Sequence, residues 1–514
     1  MTNNWFFSCW CFVFLVLNSQ CKATELDVFI FGGKGDLAKR YLWNGFFRLF
    51  QNNRERKMNF YGLGLSNMPQ LDFLKVVNNS VHCEPNSSNN SICKELIQNF
   101  VASTNYLQMK NEKDFEKLSC AIDSSINEVI FYLSVPPSAY KHIIQSISSH
   151  CDLKKRNKNY KFVFEKPFGE SLESAQSLSS LLSKHLNEFQ IFRVDHYLGK
   201  ATTHKILNFR RKNPYIEEIL NKKYVEEIQV VVSETIGCKG RTTYYDKSGV
   251  IRDMLQNHLT EILCLMTMDV NGEQSKSKLL RDILTVFRRD ILFGQYQGYM
   301  EEVYHESGNN KSMTPTFAAA NIKLKSAKWK NVPVKLISGK RLNERFGYGR
   351  IVFKKKYFPE ISGCESMDPQ IIFMIRNDKL KSPGILVSWN LPFNSDYIPN
   401  DWRLASHLDD LTIFGSKGKC FRILIPANKL DAYSYLISKM YEGDHTYFVP
   451  VQDLLESWRI WSPVATHQLN THSEIIQYKI GWSISRILYE GMCESHKCCL
   501  LNTFQMKCDL TPRK

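Results

Sequence analysis

The stretch from Asp27 to Arg40, DVFIFGGKGDLAKR, places the tightest constraint on what this chain can fold into. A short apolar strand, Asp27 to Gly32, runs straight into a glycine turn and then a helix. Strand, glycine turn and helix together open a dinucleotide-binding βαβ unit. The glycines let the backbone approach a pyrophosphate, and N–H groups at the helix start meet its charge. The same pattern also serves strand-to-helix turns that bind no nucleotide. The helix predicted from Leu37 to Phe50 puts Leu42, Phe46 and Leu49 on one face. Met58 to Leu65 reads as the second strand, and Val129 to Val135 as a fully buried parallel strand. Phe162 to Phe164 ends in Glu165-Lys166-Pro167, at the carboxyl edge where open α/β sheets bind ligands.

A second stretch, RVDHYLGK from Arg193 to Lys200, packs an acid, an imidazole, a phenol and two cations into eight residues. A buried strand would not carry so many ionisable groups, because desolvating each one unpaired costs several kcal/mol. A charged pocket for an anionic, hydroxyl-rich ligand suits the composition; a solvated loop is the alternative. Downstream, Val225 to Glu234 reads as a strand and Arg241 to Gly249 as a turn-rich link. Ile251 to Asp269 reads as a helix, with Leu255, Leu259, Ile262 and Met266 at helical spacing. Strands are predicted at Val334 to Ile337, Ile371 to Ile375 and Ile385 to Ser388, and helices at Asp431 to Tyr441 and Val451 to Val464. The expected fold class is an α/β Rossmann dinucleotide-binding domain followed by an α+β domain with a large, mostly antiparallel sheet.

RVDHYLGK resembles the RIDHYLGK signature of the glucose-6-phosphate dehydrogenase family, differing only at Val194. FGGKGDLAKR (31–40), EKPFG (165–169), GVIRDMLQNHL (249–259) and SGKRLNER (338–345) match that family in the same order. The likeness runs from about Asp27 to about Val464 and looks closest to the endoplasmic-reticulum branch, the hexose-6-phosphate dehydrogenases. It implies a signal peptide at 1–23, an NAD(P)-binding domain at 24–195, a substrate and dimerisation domain at 196–467 and an unmatched tail at 468–514. The implied activity is oxidation of glucose 6-phosphate at C1 to the lactone, with NADP as cofactor and NAD tolerated. No metal is expected, because hydride goes to the nicotinamide and the proton to a side chain.

By this resemblance His258 is the base and Asp195 the acid that orients it. His196, Tyr197, Lys200, Lys340 and Arg345 are implied at the phosphate, Glu234 and Asp253 at the sugar hydroxyls, and Lys166 at both substrate and cofactor. Gly32, Gly33, Lys34, Gly35, Asp36, Leu37 and Tyr132 are the implied cofactor contacts, a core tyrosine being the alternative for Tyr132. Leu65 stands where cytosolic relatives carry the arginine for a ribose 2′-phosphate, with Lys39 and Arg40 as compensating cations. Phe346 stands where many relatives have a lysine for a second, structural NADP site. The tail is too short for the lactonase domain of lumenal homologues, so no lactonase activity is expected. A catalytically weak lumenal protein of the same fold, binding phosphosugar or nucleotide, is the alternative function.

The net charge of +16 fits a phosphorylated metabolite, an acidic surface or nucleic acid. The cations are scattered in short runs, and no nucleic-acid module is recognisable, so no nucleic-acid partner is expected. Trp5 to Leu17 is apolar apart from Ser8 and too short to span a bilayer of ~30 Å. The polar, small run Asn18 to Ala23 then fits a secretory signal, although MTNN carries no basic residue. Sequons at Asn78, Asn86, Asn89 and Asn310 agree with a lumenal location, a cytosolic one being the alternative. Fifteen cysteines allow disulfides, with Cys83 and Cys93 and the group Cys493, Cys498, Cys499 and Cys508 as candidates. A homodimer or homotetramer is the state the resemblance implies.

Overall fold

The computed structural model describes residues 25–83, 90–118, 128–150, 153, 159–272, 275–378, 383–393, 398, 401–405, 412–413, 416–427, 430–465 and 475–494. The expected leader, the sequons at Asn86 and Asn89 and most of the tail lie outside these residues. The chain forms two compact units, one of residues 1–164 with 185–191, the other of 165–184 with 192–514. It therefore crosses between units three times, where a single division after residue 195 was expected.

In the first unit the strands are β1 (Leu26–Phe31), β2 (Met58–Gly64), β3 (Thr104–Gln108), β4 (Glu128–Leu133) and β5 (Asn159–Glu165). They pair in parallel in the order β3-β2-β1-β4-β5. Every residue of β1 and β4 is buried, Asp27 and Glu128 included, and the apolar runs 28–31 and 129–133 are what a doubly covered parallel sheet requires. Tyr61, Phe29, Phe131 and Phe162 stack across four neighbouring strands, with centroids 4.7, 5.4 and 4.9 Å apart. From β1 the chain builds outward through β2 and β3, then returns to start β4 on the other side of β1. The ends of β1 and β4 thus flank the switch point where such sheets bind ligands. The helix after β1 begins with a π-helical turn, Ala38–Leu42, and continues as Trp43–Asn52. It buries Leu42, Phe46 and Leu49, the predicted face.

The second unit is built on a ten-stranded sheet. After β6 (Ile191–Val194), the sixth strand of the first sheet, come β7 (Val225–Ser233), β8 (Ile291–Tyr296), β9 (Phe317–Ile322), β10 (Val334–Gly339), β11 (Phe346–Phe353), β12 (Gln370–Asn377) and β13 (Gly384–Ser388). Then follow β14 (Trp402–Leu404), a separate short pair β15 (Thr412–Ile413) and β16 (Ser416–Lys417), β17 (Phe421–Pro426) and β18 (Ile475–Tyr478). The large sheet runs β14-β17-β13-β12-β11-β7-β10-β9-β8-β18 and is antiparallel except at β10–β7 and β18–β8. The predicted strands at 334–337, 371–375 and 385–388 fall in β10, β12 and β13, and the predicted late helices are Ala432–Glu442 and Val451–Ala465. No helix among the described residues is long and apolar enough to cross a membrane.

Two local readings need correction. Arg241 to Gly249 is not a plain link: Thr242–Val250 forms a helix that is kinked at Gly249, whose φ of 58° and ψ of 177° are not helical. Its opening N–H groups find an acceptor far away in sequence, Glu306, which takes Thr242 N at 2.9 Å and Thr242 Oγ1 at 2.6 Å. Tyr245 anchors it in the core against Tyr299, 6.1 Å between centroids. The helix after it is not uniformly α: Ile251–Leu259 is π-helical and Thr260–Thr267 α-helical. Cys83 and Cys93 are bonded as a disulfide, and a second bond joins Cys364 to Cys420.

Candidate active site

In the second unit, the π-helical segment decides which side chains face the site. Asp253 and His258 are five residues apart, about 140° around an α-helix. A π-helix bonds i to i+5, so the same two residues come round to nearly one face. His258 is 1% exposed, and its Nδ1 lies 2.5 Å from Asp195 Oδ1, just after β6. The same Asp195 oxygen accepts the backbone N–H of Tyr197 at 2.9 Å, an Asx-type turn that fixes the carboxylate. Tyr197 stacks on the imidazole at 4.2 Å between centroids, and His196 meets it edge-on at 4.7 Å. The imidazole is held on one edge and covered on one face.

Burial pushes the His258 pKa below its usual value, with Lys166 adding to the depression and Asp195 opposing it. Burial would raise the Asp195 carboxyl, but His258, His196 and Lys166 together pull it down to about 2. The pair is therefore a neutral imidazole beside a carboxylate at neutral pH, an arrangement ready to take a proton. Donor atoms of Asp195, His196 and His258 lie within 4.8 Å of one another, a grouping that is this acid–base pair and its neighbour.

Beside the dyad is a lattice of paired charges. Lys166 donates to Asp253 O at 2.8 Å, with Asp253 Oδ1 at 3.5 Å. Lys340 lies 3.2 Å from Asp253 Oδ2 and 2.5 Å from Glu234 Oε2. Burial would raise Asp253, but Lys340, Lys166 and His258 hold it well below the usual carboxylate range. Burial would likewise lower Lys340, but Asp253 and Glu234 hold it above the usual lysine value. A tight turn after β10 sets this geometry: Arg341 has φ +54°, and Leu342 N donates to Glu234 O at 3.0 Å.

Lys200 and Arg345 are different. Neither forms an ion pair with a carboxylate among the described residues. Burial lowers the Lys200 pKa, and the nearby cations Arg376 and Arg345 add to it. Asp431 opposes them, and Arg376 itself lies 3.3 Å from Asp378 Oδ1, so the cations are only partly compensated. A group of cations with an excess of positive charge suits a dianion. His196 belongs beside them as a neutral donor, since burial, then His258 and Lys200, push its pKa well down. Sequence reasoning missed Arg376; its only signal was a charge at the end of an otherwise buried strand.

In the first unit the glycine loop fits a dinucleotide. Gly32 has φ +81°, and a Cβ there would meet Ser134 O at 2.2 Å. No side chain caps the helical turn that follows at Leu37. Gly33 has a packing role as well: its added Cβ would fall 2.7 Å from Gly62 Cα. Lys34 crosses the end of β2, where Gly64 leaves room for its stem, and donates to Ser66 Oγ. Tyr106 and Gln108 fix this corner through Ser66 O at 2.5 Å and Leu65 O at 3.0 Å, and Leu65 itself is 75% exposed. Arg40 is paired with Asp36 at 2.8 Å. Tyr132 lies in the core, 6.1 Å from Phe46, the alternative position considered for it.

A Rossmann-type unit and a sheet domain with a buried acid–histidine pair make this a two-domain protein of the dinucleotide-binding class. The family models "Glucose-6-phosphate dehydrogenase, NAD binding domain" and "Glucose-6-phosphate dehydrogenase, C-terminal domain" match residues 29–205 and 207–490. The chain belongs to the glucose-6-phosphate dehydrogenase family. It is 35% identical over 479 residues to the human "GDH/6PGL endoplasmic bifunctional protein" and 36% identical over 486 residues to its rabbit counterpart. Those matches cover 87% and 88% of this chain, which spans 60% of the length of either relative. A "Glucose-6-phosphate 1-dehydrogenase" of Chlamydia muridarum is 28% identical, over 85% of this chain and 89% of its own. The fold is shared with a solved "Glucose-6-phosphate dehydrogenase in complex with its substrate glucose-6-phosphate". There the TM-score is 0.74 at 24% identity, covering 92% of this chain and 97% of the other.

Proposed function

We propose that this chain oxidises glucose 6-phosphate, and other hexose 6-phosphates, at C1 to the 1,5-lactone, the first step of the oxidative pentose phosphate pathway. The observation that carries the reading is the buried 2.5 Å contact between Asp195 and His258. His258 takes the C1 hydroxyl proton on Nε2, while Asp195 keeps Nδ1 protonated and steadies the imidazolium. A bound nicotinamide supplies the hydride acceptor. Glu234 and Asp253, tied to Lys166 and Lys340, take the sugar hydroxyls. Lys200 and Arg345, with His196 and Tyr197, take the phosphate.

NADP is the preferred cofactor, with NAD tolerated. Gly32, Gly33, Lys34, Gly35, Asp36 and Leu37 form the pyrophosphate turn, and Lys34 beside Ser66 supplies the cation that Leu65 lacks. The compartment is the endoplasmic-reticulum lumen. Two disulfides support an oxidising environment, and the human and rabbit relatives are described as endoplasmic. The active form is a homodimer or homotetramer, to be read by sedimentation.

Initial rates with glucose 6-phosphate, galactose 6-phosphate and free glucose, each against both nicotinamides, test the reading. His258→Asn should lose turnover by about 10²–10⁴ with sugar-phosphate affinity nearly intact. Ligand binding by the wild type with no nicotinamide reduction would instead favour the binding protein.

A further inference from the structure

Behind His258 lies a second ionisable group that the proposed chemistry does not use. Glu261, three residues beyond His258, is 4% exposed and accepts from Lys276 Nζ at 2.9 Å. The same ammonium lies 3.1 Å from Asp453 Oδ2, and Ser277 Oγ donates to Asp453 Oδ1. Two buried carboxyls thus share one cation. Burial first, then Asp453 and Asp195, raise Glu261 to about 7 against the pull of Lys276. The buried thiol of Cys264, on the same helix, also faces this group.

Glu261 and Asp195 line one cavity of about 30 Å³, with Lys166, Gln256, Asn257 and Ser457 among the other walls. Asp195 Oδ2 is buried and has no hydrogen-bond partner among the described residues. A buried carboxylate oxygen without a donor is strongly unfavourable. Phe168, Val194, Leu454 and Trp458 make the cavity walls largely apolar, but the space is large enough for one water and Asp195 Oδ2 is an unmet acceptor at its edge.

We infer that the cavity holds one ordered water donating to Asp195 Oδ2 and to the Glu261 carboxyl, which makes Glu261 a positioning residue acting on His258 through Asp195. When Glu261 ionises, a further negative charge lies behind the dyad. The imidazolium formed as the hydroxyl proton arrives is then better stabilised, so His258 is the stronger base. Turnover rises as pH climbs through the Glu261 titration and is lower, and level, when that titration is removed. The rate effect rests on the dehydrogenase reading of the site; the water and the electrostatic coupling do not.

The test combines a high-resolution crystal structure of the wild-type protein, NMR titration of its labelled histidines, and kcat against pH for wild type and Glu261→Gln. The expected structure shows a water within hydrogen-bond distance of Asp195 Oδ2 and a Glu261 oxygen. The His258 ring should report two titrations, its own and one that Glu261→Gln abolishes. Wild-type kcat should rise several-fold across that second titration, with a flat profile in Glu261→Gln and a hexose-phosphate KM changed less than about twofold. A dry cavity, or a single titration sensed by His258 in the wild type, overturns the inference even if the variant fails to fold. A folded Glu261→Gln with the wild-type kcat profile overturns it as well. A wild type that reduces no nicotinamide refutes the reading of the site, while the water and the His258 titration still decide the coupling.

Discussion

Asp195→Asn is the most informative single change, because the structure predicts a modest loss where a simple dyad argument predicts a large one. An amide can swap its oxygen and nitrogen, and a swap here would leave His258 in the wrong tautomer. Asp195 Oδ1, however, accepts Tyr197 N at 2.9 Å and also faces His258 Nδ1 at 2.5 Å. Only an oxygen satisfies both donors, so the substituted asparagine should keep its carbonyl there and leave the tautomer intact. The new NH₂ then takes the Oδ2 position, which lacks a protein partner among the described residues and borders the small cavity. What is lost is the charge on one hydrogen bond, about 1–2 kcal/mol, the difference between charged and neutral acceptors. That corresponds to roughly a 5- to 30-fold fall in kcat. Asp195→Ala strips the acceptor from two buried donors, each costing about 1–3 kcal/mol, and should fall roughly 10³-fold. The assay is kcat and KM at pH 8, with kcat/KM followed downward in pH. His258 is already depressed by burial, so losing the carboxylate lowers it further and the acidic limb should move to lower pH. An Asp195→Asn enzyme as impaired as the alanine variant would refute the reasoning, because it would mean that the amide turns.

Lys34→Thr should weaken equilibrium binding of NADP by about tenfold, measured by nucleotide fluorescence, with NAD changed less than about twofold; equal losses would remove Lys34 from 2′-phosphate recognition. Lys200→Ala and Arg345→Ala should each raise KM for hexose 6-phosphate roughly 10- to 100-fold and leave slow oxidation of free hexose unchanged. A parallel loss on both sugars would place these residues elsewhere in the mechanism. Cys364 and Cys420 are separated by 56 residues and Cys83 and Cys93 by 10. Chain entropy then assigns about 4 and about 3 kcal/mol to the two crosslinks, so Cys364→Ser should lower the thermal midpoint more than Cys83→Ser does.

Much of the fold was legible because period and punctuation were unambiguous. Residues 28–31 in β1 and 129–133 in β4 are unbroken apolar runs, and the Leu42, Phe46 and Leu49 face packs as the spacing requires. What escaped did so for identifiable reasons. A nine-residue π-helix carries the same residues as an α-helix, and hydrophobic spacing at 3.6 does not reveal a register that only i to i+5 bonding creates. The helix Thr242–Val250 is capped by Glu306, 64 residues away from Thr242, so its strongest start signal is not local. Glu261, Lys276 and Asp453 look like ordinary surface charges in sequence. Only packing reveals that the two carboxyls share one buried ammonium.

The division of charge across the site argues for one kind of substrate over its neighbours. Around Asp253 every cation has a carboxylate: Lys166 and Lys340 both reach it, and Lys340 also meets Glu234. A matched lattice offers donors and acceptors with little net field, which suits neutral hydroxyls and repels neither end of a sugar ring. Lys200 and Arg345 form no ion pair among the described residues; Arg376, itself 3.3 Å from Asp378 Oδ1, adds to the field that depresses Lys200, and Asp431 opposes it only in part. Cations left together like this repel one another until an anion binds, so a dianion gains there what a hydroxyl cannot. A free hexose would fill the matched half and leave the unmatched half unbalanced. A hexose 6-phosphate satisfies both, and discrimination between them should therefore weaken as salt rises and screens the unmatched cations.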